Sequence, residues 1–306
     1  MQRRVLLTGG NGLLGQKIIP LLSNRTHVQL LVSSRGVNRH PQQGYEYASA
    51  DLSHAEAVKE VFADFRPTDV IHTAAMTQVD ACESDHDSCD ASNVLAVKHL
   101  LDQCKVHDTR LIHISTDFVF DGEDGPYQEG DSPNPVNYYG ESKRKAEELI
   151  EQSEVSHAIL RTMLLYGISP AMSRSNIVLW VRKSLLEGKP IRVVDDQVRC
   201  PTLVEDLAAA SVSALMKRAE GIYHISGAEM MNMLELAKKV AEFWNLDGNL
   251  ISSTDSASLN QAAKRPPVTG FILLKAQTEL DYQPHSLQEG LSLVDRQIRE
   301  LSLSDH

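Results

Sequence analysis

The sequence predicts an α/β protein built on a Rossmann-like, doubly wound parallel sheet, with a smaller C-terminal lobe. Short apolar runs alternate with helical patterns through the first two-thirds of the 306 residues. Near-continuous apolar strands of this kind are typical of parallel sheets that helices cover on both faces. In the last third the alternation becomes irregular, which indicates a separate lobe.

The individual elements follow from the apolar spacing and from the turn residues between runs. In the first part, strands are predicted at residues 4–8, 28–32, 69–72, 111–115 and 159–165, and helices at 13–22, 54–65, 92–106 and 139–152. In the last part, helices are predicted at 173–187, 204–218, 231–244 and 287–301, and strands at 191–194 and 221–225. We expect the sheet domain to contain residues 1–165 with a return of the chain over about 203–226, and the lobe to contain 166–202 and 227–306.

The charge of the chain limits its partners. A formal net charge of −11 argues against nucleic-acid backbones and anionic membrane surfaces. No apolar run approaches the roughly 18 residues that a membrane span needs, and the apolar run before the first glycines is too short for a signal peptide. We therefore expect a cytoplasmic protein with no nucleic-acid or membrane partner.

The four cysteines, Cys82, Cys89, Cys104 and Cys200, are too few in a chain of this length for a disulfide framework, and they suit a reducing compartment. Cys82 and Cys89 stand close to His86, as ligands of a metal ion do. No second pair with zinc-like spacing accompanies them, so no metal site is predicted.

A glycine motif follows the first predicted strand and opens the first helix. One glycine of such a turn permits the tight bend, one lets the backbone approach a pyrophosphate, and one lets helix and strand pack closely. Free amides at the start of the helix then face the phosphates. The dinucleotide site is predicted to comprise Gly9, Asn11, Gly12, Leu13, Leu14 and Gly15.

The end of the second strand selects the cofactor. An acid at this place favours NAD, whereas an arginine accommodates the 2′-phosphate of NADP. Here Ser33, Ser34 and Arg35 stand in place of an acid, so NADP is favoured and NAD stays possible. Further along, Asp51 and Leu52 are predicted to flank the adenine.

Small side chains after the third predicted strand allow the cofactor to pass close to the backbone. They are Thr73, Ala74 and Ala75.

A tyrosine and a lysine four residues apart form the candidate catalytic pair. Tyr139 and Lys143 project from one face of a predicted helix. A free tyrosine has a pKa of about 10, and a neighbouring ammonium group is expected to lower it toward useful proton transfer. Lys143 can also hold the nicotinamide ribose. Thr116 or Ser115, at the end of a strand, can hydrogen-bond the same carbonyl group.

These residues resemble the extended short-chain dehydrogenase/reductase family, and within it the dTDP-4-dehydrorhamnose reductase subgroup. The resemblance covers nearly the whole chain. Its specific pieces are residues 8–15, 66–75, 77–83, 115–122 and 135–143, with Asn93. The Arg265-Pro266 pair resembles an Arg-Pro of the family near the diphosphate, although the residues after it match weakly. The block Thr116-Asp117-Phe118-Val119-Phe120-Asp121-Gly122 discriminates best.

The resemblance implies an NAD(P)-dependent oxidoreductase that reduces a 4-keto group on a nucleotide-activated deoxysugar, as in dTDP-rhamnose biosynthesis. It places Thr116, Tyr139 and Lys143 at the catalytic positions, and it adds Thr77, Asn93 and Ser115 to the cofactor site. It further implies a lobe that binds the nucleotide sugar, with substrate contacts at Thr77, Val79, Asp80, Phe118 and Arg265. The expected assembly is a monomer or a homodimer.

Two alternatives to this reductase remain open. The first is an epimerase or another carbonyl reductase, because the Tyr139/Lys143 pair serves transient oxidation equally well. The second is a non-catalytic, NADP-binding regulatory subunit similar to that of methionine adenosyltransferase, which can retain the same pair. Arg199 and Cys200, before Pro201-Thr202, depart from the small residue usual in the rhamnose enzymes.

Overall fold

A parallel sheet organises the first part of the chain together with one later strand. The computed structural model describes residues 2–172, 174–259 and 261–304. Ser173, the predicted start of one helix, lies outside the described residues, as do the first residue and the last two residues of the predicted domains.

The bounds of the elements are as follows. The strands are β1 (Arg3–Thr8), β2 (Val28–Ser34), β3 (Glu46–Ser49), β4 (Asp69–His72), β5 (Arg110–Thr116), β6 (His157–Thr162), β7 (Leu165–Tyr166), β8 (Ile191–Val194), β9 (Val198–Arg199), β10 (Thr202–Leu203), β11 (Gly221–Ile225), β12 (Met231–Asn232), β13 (Ile251–Thr254) and β14 (Val268–Thr269). The helices are α1 (Leu13–Ser23), α2 (Ala55–Phe65), α3 (Val79–Ser84), α4 (His86–Asp90), α5 (Ala96–His107), α6 (Tyr138–Glu151), α7 (Ile177–Leu186), α8 (Val204–Lys217), α9 (Met233–Phe243), α10 (Leu274–Leu280) and α11 (Leu287–Ser304).

Seven strands form the main sheet in the order β11-β6-β5-β4-β1-β2-β3, and every pair in it is parallel. From β1 the chain first moves outward through β2 and β3, and then crosses back to β4 and continues in the opposite direction. The crevice above the carboxyl ends of β1 and β4 is therefore the place where such folds bind ligands. The predicted α/β class with a doubly wound parallel sheet is confirmed.

Helices cover both faces of this sheet with separate apolar clusters. On one face, Ile18 of α1 and Leu207 of α8 are fully buried in the same cluster. On the other face, Phe62 of α2, Leu100 of α5 and Ile150 of α6 are equally buried. This two-sided burial explains why the central strands are apolar along their whole length.

The last third of the chain combines a return to the sheet with a small lobe. Strand β11 pairs with β6 at the edge of the sheet, and α8 packs against α1. In the lobe, β8 pairs with β13, β9 lies between β12 and β14, and α7, α9 and α11 pack around a third apolar cluster. The exact division into two domains stays a prediction.

Several predicted boundaries differ from the structure, and two of the differences have a clear local reason. The strand predicted at 159–165 ends at Thr162, because Leu164 has a φ of +39° and breaks the extended backbone, so that β7 pairs with β10 instead. The helix predicted from 231 begins at Met233, because Asn232 caps it through a hydrogen bond from the Glu235 amide.

None of the helices in the described part of the chain combines the length and the apolar character that a membrane span requires.

Candidate active site

A cavity of about 830 Å³ lies at the carboxyl ends of the central strands, between the sheet and the lobe. Most of the residues predicted for the cofactor, the substrate and catalysis line it together. They are Gly9, Asn11, Gly12, Leu13, Leu14, Gly15, Ser33, Ser34, Arg35, Asp51, Leu52, Thr73, Ala74, Ala75, Thr77, Val79, Ser115, Thr116, Phe118, Tyr139, Lys143 and Arg265. Two predicted residues, Asn93 and Asp80, are not among those that line it.

The glycine turn is held by close approaches that side chains would prevent. Gly9 has a φ of +74°, and a Cβ on it would lie 2.6 Å from the Ala74 nitrogen. A Cβ on Gly15 would lie 2.4 Å from the Gly9 carbonyl oxygen. Gly12 precedes α1 without any side-chain cap, so the first amides of the helix are open to the cavity. This cradle fits a pyrophosphate.

The loop after β2 forms the far end of the cavity. The Asn11 amide donates to Ser34 Oγ over 3.0 Å, and the Asn11 side chain donates to the Val37 carbonyl over 2.9 Å. The Arg35 side chain is 75% exposed and lies 3.9 Å from the Asp51 carboxylate. Arg39, which the sequence analysis missed, also lines this end. Its only signal was a second arginine four positions after Arg35.

Asn93 supports the cavity from behind. It is buried, its Oδ1 accepts from the Met76 amide over 2.8 Å, and its Nδ2 donates to the Met76 carbonyl and to Ser142 Oγ. It thus ties the loop after β4 to helix α6. In the same loop, Thr73 Oγ1 donates to the Thr8 carbonyl over 2.7 Å.

Helix α6 places the tyrosine and the lysine. Asn137 caps the helix by accepting from the Gly140 amide over 2.9 Å. A Cβ on Gly140 would lie 2.1 Å from the Phe118 carbonyl oxygen, so the helix packs directly against the turn that follows Thr116. This contact brings Tyr139 and Thr116 into one corner of the cavity.

The environment of Tyr139 reverses one sequence-based expectation. Burial raises the pKa of the Tyr139 phenol, the Thr116 hydroxyl beside it acts in the opposite direction, and the Asp117 carboxylate raises the pKa further. The expectation of a lowered Tyr139 pKa is therefore wrong, because the spacing along a helix indicates proximity to Lys143 and not burial. The phenol therefore keeps its proton over a wide pH range.

Lys143 is buried and has two uncharged partners. Its Nζ donates to the Ile114 carbonyl over 2.8 Å and is 2.9 Å from His113 Nε2. Burial lowers the pKa of Lys143 to about 8, while the Glu147 carboxylate acts against this shift. Lys143 can therefore exchange a proton near neutral pH.

Asp117 connects this corner to the lobe. Thr116 Oγ1 donates to Asp117 over 3.1 Å, and Thr269 donates to the other carboxylate oxygen. Arg199 Nε lies 3.3 Å from that oxygen, and both side chains are buried. Arg199 also donates to the carbonyls of Pro266 and Val198, at 2.6 Å and 2.7 Å. Arg199, which differs from the small residue usual in the rhamnose enzymes, therefore connects Asp117 to backbone carbonyls of the lobe.

The opposite wall carries two further arginines. Arg265 donates to both carboxylate oxygens of Asp80 over 2.7 Å, so Asp80 orients Arg265 rather than lining the cavity. Arg174, which sequence reasoning missed, lines the cavity and donates to Thr77 Oγ1 over 3.3 Å. No sequence motif identifies Arg174, since its position in the cavity depends on how the lobe packs against the sheet.

The cysteines near this corner do not form a metal centre. Cys82 and Cys89 are buried in one cluster with Tyr139, whereas His86 stacks on Tyr138 at 3.5 Å. Among residues 2–172, 174–259 and 261–304, no group of three or more His, Cys, Asp or Glu side chains is placed to hold a metal ion.

The chain is similar to several known proteins over most of its length. It is 29% identical to a probable low-salt glycan biosynthesis reductase, Agl14, of Haloferax volcanii, over 97% of this chain and 98% of the relative. It is 34% identical to methionine adenosyltransferase 2 subunit beta of Xenopus tropicalis, over 80% of this chain and 73% of the relative.

Solved structures and family membership agree with the resemblance inferred from the motifs. A dTDP-4-dehydrorhamnose reductase of Bacillus anthracis, crystallised with NADP, superposes with a TM-score of 0.82 at 27% identity, over 97% of this chain and 100% of that chain. The family model described as the RmlD substrate binding domain matches residues 3–299. The resemblance is therefore confirmed, and the chain belongs to the RmlD substrate binding domain family.

Proposed function

We propose that this protein is an NADP-dependent oxidoreductase that reduces a 4-keto group on a nucleotide-activated deoxysugar, as a dTDP-4-dehydrorhamnose reductase does. One observation carries the proposal. The glycine turn, Thr116, Tyr139 and Lys143 line a single cavity, although they come from separate parts of the chain. A dinucleotide cradle beside a proton donor is the arrangement that carbonyl reduction needs.

The cofactor end of the cavity supports NADP, with NAD possible. The glycine turn and the open amides of α1 would hold the pyrophosphate. Ser34 and Arg35 would hold the 2′-phosphate, and Arg39 adds a second guanidinium group nearby. NADPH, when bound, supplies the hydride.

The protein residues supply the proton and the orientation. Tyr139 keeps its proton until a carbonyl oxygen beside it becomes more basic, since burial raises the pKa of the phenol. It then donates that proton to the oxygen. The Thr116 hydroxyl donates to Asp117 in this structure, so it must rotate to donate to the carbonyl. Lys143 would hold the ribose through the donor that its two protein partners leave over.

The lobe side supports a substrate that carries a diphosphate. Arg174 and Arg265 bring guanidinium groups to the cavity of an otherwise acidic protein. Thr77, Val79 and Phe118 provide a hydroxyl and apolar surfaces beside them. Local cations of this kind offset the global negative charge and match the geometry of phosphate oxygens.

The test measures NADPH oxidation with dTDP-4-keto-6-deoxymannose. Wild type should oxidise NADPH only when the keto sugar is present. Tyr139→Phe should lower turnover by about 10²–10⁴-fold, the usual contribution of a positioned acid, and should still bind NADPH. Tyr138→Phe is the matched control, because the Tyr138 hydroxyl bonds to Asp90 at 3.0 Å and does not line the cavity. Unchanged turnover in Tyr139→Phe would exclude it as the proton donor.

A second candidate is a regulatory subunit of methionine adenosyltransferase. The 34% identity to such a subunit over 80% of this chain favours it. A protein with this function would bind NADPH, would oxidise none with any keto sugar, and would form a complex with the purified catalytic subunit. An epimerase would interconvert nucleotide sugars without net NADPH oxidation. The same assay, with product analysis, separates the three.

We place the protein in the cytoplasm as a monomer or homodimer, without nucleic-acid or membrane partners. All four cysteines are free and buried, which suits a reducing compartment. Light scattering of the purified protein decides its oligomeric state.

A further inference from the structure

The ammonium group of Lys143 is held by a histidine of the neighbouring strand. His113 lies on β5, one residue before Ile114, and its Nε2 is 2.9 Å from Lys143 Nζ. An ammonium group only donates, so His113 Nε2 must accept and the ring proton must sit on Nδ1. His113 and Lys143 are 1% and 2% exposed, so this bond lies in a buried environment.

The groups around this contact are almost all uncharged. His72 of β4 stacks on His113 with ring centroids 5.3 Å apart, and its Nδ1 is 2.7 Å from Thr8 Oγ1. Burial, with the Lys143 charge nearby, holds the pKa of His113 well below its usual range and lowers that of His72 to about 3. Both rings are therefore neutral at working pH.

The remaining titratable neighbours of Lys143 lie on α4 and α6. They are Cys89 and Glu147, with Tyr139 one turn before Lys143 on α6. Glu147 is the only carboxylate among them, and Arg161 binds it through two hydrogen bonds of 2.9 Å and 2.7 Å. Within the part of the chain that the structure describes, Lys143 therefore forms no ion pair with a carboxylate of its own, and Glu147 acts on it only from a distance.

We infer that His113 is a positioning residue for Lys143: it directs the ammonium group toward the cavity with a neutral acceptor in place of a carboxylate. This inference rests on the proposed function, since Lys143 belongs to the proposed active site. A carboxylate at this place would bind the proton firmly and keep Lys143 permanently charged. A neutral ring leaves the lysine able to lose and regain a proton while its position stays fixed.

The test changes the acceptor and follows the titration of Lys143. His113→Phe keeps a planar ring against His72 but has no ring nitrogen, and His113→Leu is its replacement if the first variant does not fold. His113→Gln restores an uncharged acceptor. The Lys143 ¹³Cε resonance, assigned with a Lys143→Met variant, is titrated in the protein without cofactor. Wild type should titrate near pH 8.

Loss of the acceptor removes a hydrogen bond that stabilises the charged form. The Lys143 titration should therefore move down by about one pH unit or more in His113→Phe, in line with the strength of hydrogen bonds to charged groups. It should return toward the wild-type value in His113→Gln. In the proposed function the ammonium form of Lys143 donates to the ribose, so the alkaline loss of activity should move in the same direction, while His72→Leu should leave it in place.

The two proposals fail separately. An identical Lys143 titration in wild type and His113→Phe would overturn the role of His113, whatever the activity of either protein. If wild type reduced no keto sugar, the proposed function would fail, and the titration in the cofactor-free protein would still decide the role of His113.

Discussion

The sheet side and the lobe side of the cavity are built from different kinds of chemical groups. Between the glycine turn and the catalytic pair, the sheet side presents backbone amides, small residues and a lysine with neutral partners. The lobe side presents guanidinium groups that carboxylates hold, namely Arg199 with Asp117 and Arg265 with Asp80. One wall derives its shape from close backbone contact, whereas the other derives it from paired charges.

This difference separates two kinds of recognition. The glycine turn lies within seven consecutive residues, so a short motif specifies it. The ion pair between Asp80 and Arg265 joins residues that are 185 positions apart, so only the folded chain specifies it. The glycine turn suits a cofactor that many enzymes share, whereas the ion-paired lobe side suits a substrate that varies from one enzyme to another.

The largest effect is expected where a charge on the lobe side is fully buried. Arg199→Met leaves the Asp117 carboxylate buried without its cation, and removal of one partner of such a pair costs about 3–5 kcal/mol. Burial already raises the pKa of Asp117, so this carboxylate opposes folding above that pKa, and protonation relieves the cost. The deficit in unfolding free energy should therefore be full near neutral pH and shrink as the pH falls through the Asp117 pKa.

Urea denaturation at several pH values measures this deficit. Arg199→Met combined with Asp117→Asn should recover part of the loss. Arg265→Met is the comparison variant, since the Asp80 side chain is 46% exposed and water can replace the arginine. Equal losses for Arg199→Met and Arg265→Met would show that burial does not distinguish the two pairs.

The next effect tests the glycine turn of the sheet side, where no charged side chain is involved. Gly15→Ala puts a Cβ 2.4 Å from the Gly9 carbonyl oxygen and 2.7 Å from the Gly10 Cα, so α1 must move away from the turn. Crowding of this kind costs about 1–3 kcal/mol, and the displaced amides should weaken NADPH binding by at least about tenfold, which corresponds to roughly 1.4 kcal/mol. Fluorescence titration with NADPH measures the binding.

The matched control for the glycine turn is Gly130→Ala, because a Cβ there meets nothing within 4 Å. Its NADPH affinity should equal that of wild type. Full NADPH affinity in Gly15→Ala would mean that close backbone approach does not shape this wall.

The same contrast explains what the sequence could predict. The longer strands and helices, the glycine turn and the Tyr139/Lys143 pair were predictable because each depends on neighbours along the chain, whereas β3 and the short elements of the lobe were not predicted. The Arg199–Asp117 ion pair, the position of Arg174 and the contact between His113 and Lys143 could not be predicted. Each of them depends on elements that meet only after folding. The pKa of Tyr139 was predicted in the wrong direction for the same reason, since burial is a property of the packed site.

The smallest effect is expected at the exposed end of the sheet side, where the Arg35 guanidinium group lies on the loop after β2. Arg35 is 75% exposed and lies 3.9 Å from Asp51, so solvent weakens its contacts. Arg35→Ala should weaken NADPH binding by about 1 kcal/mol, below the usual range for hydrogen bonds to charged groups because the side chain is exposed, and should leave NADH binding unchanged, because NADH has no 2′-phosphate. Parallel titrations with both cofactors measure the difference, and Arg39→Ala shows how much the second guanidinium contributes. Equal losses for NADPH and NADH would mean that Arg35 supports the loop and does not select the phosphate, so that this end, like the glycine turn, acts through its backbone alone.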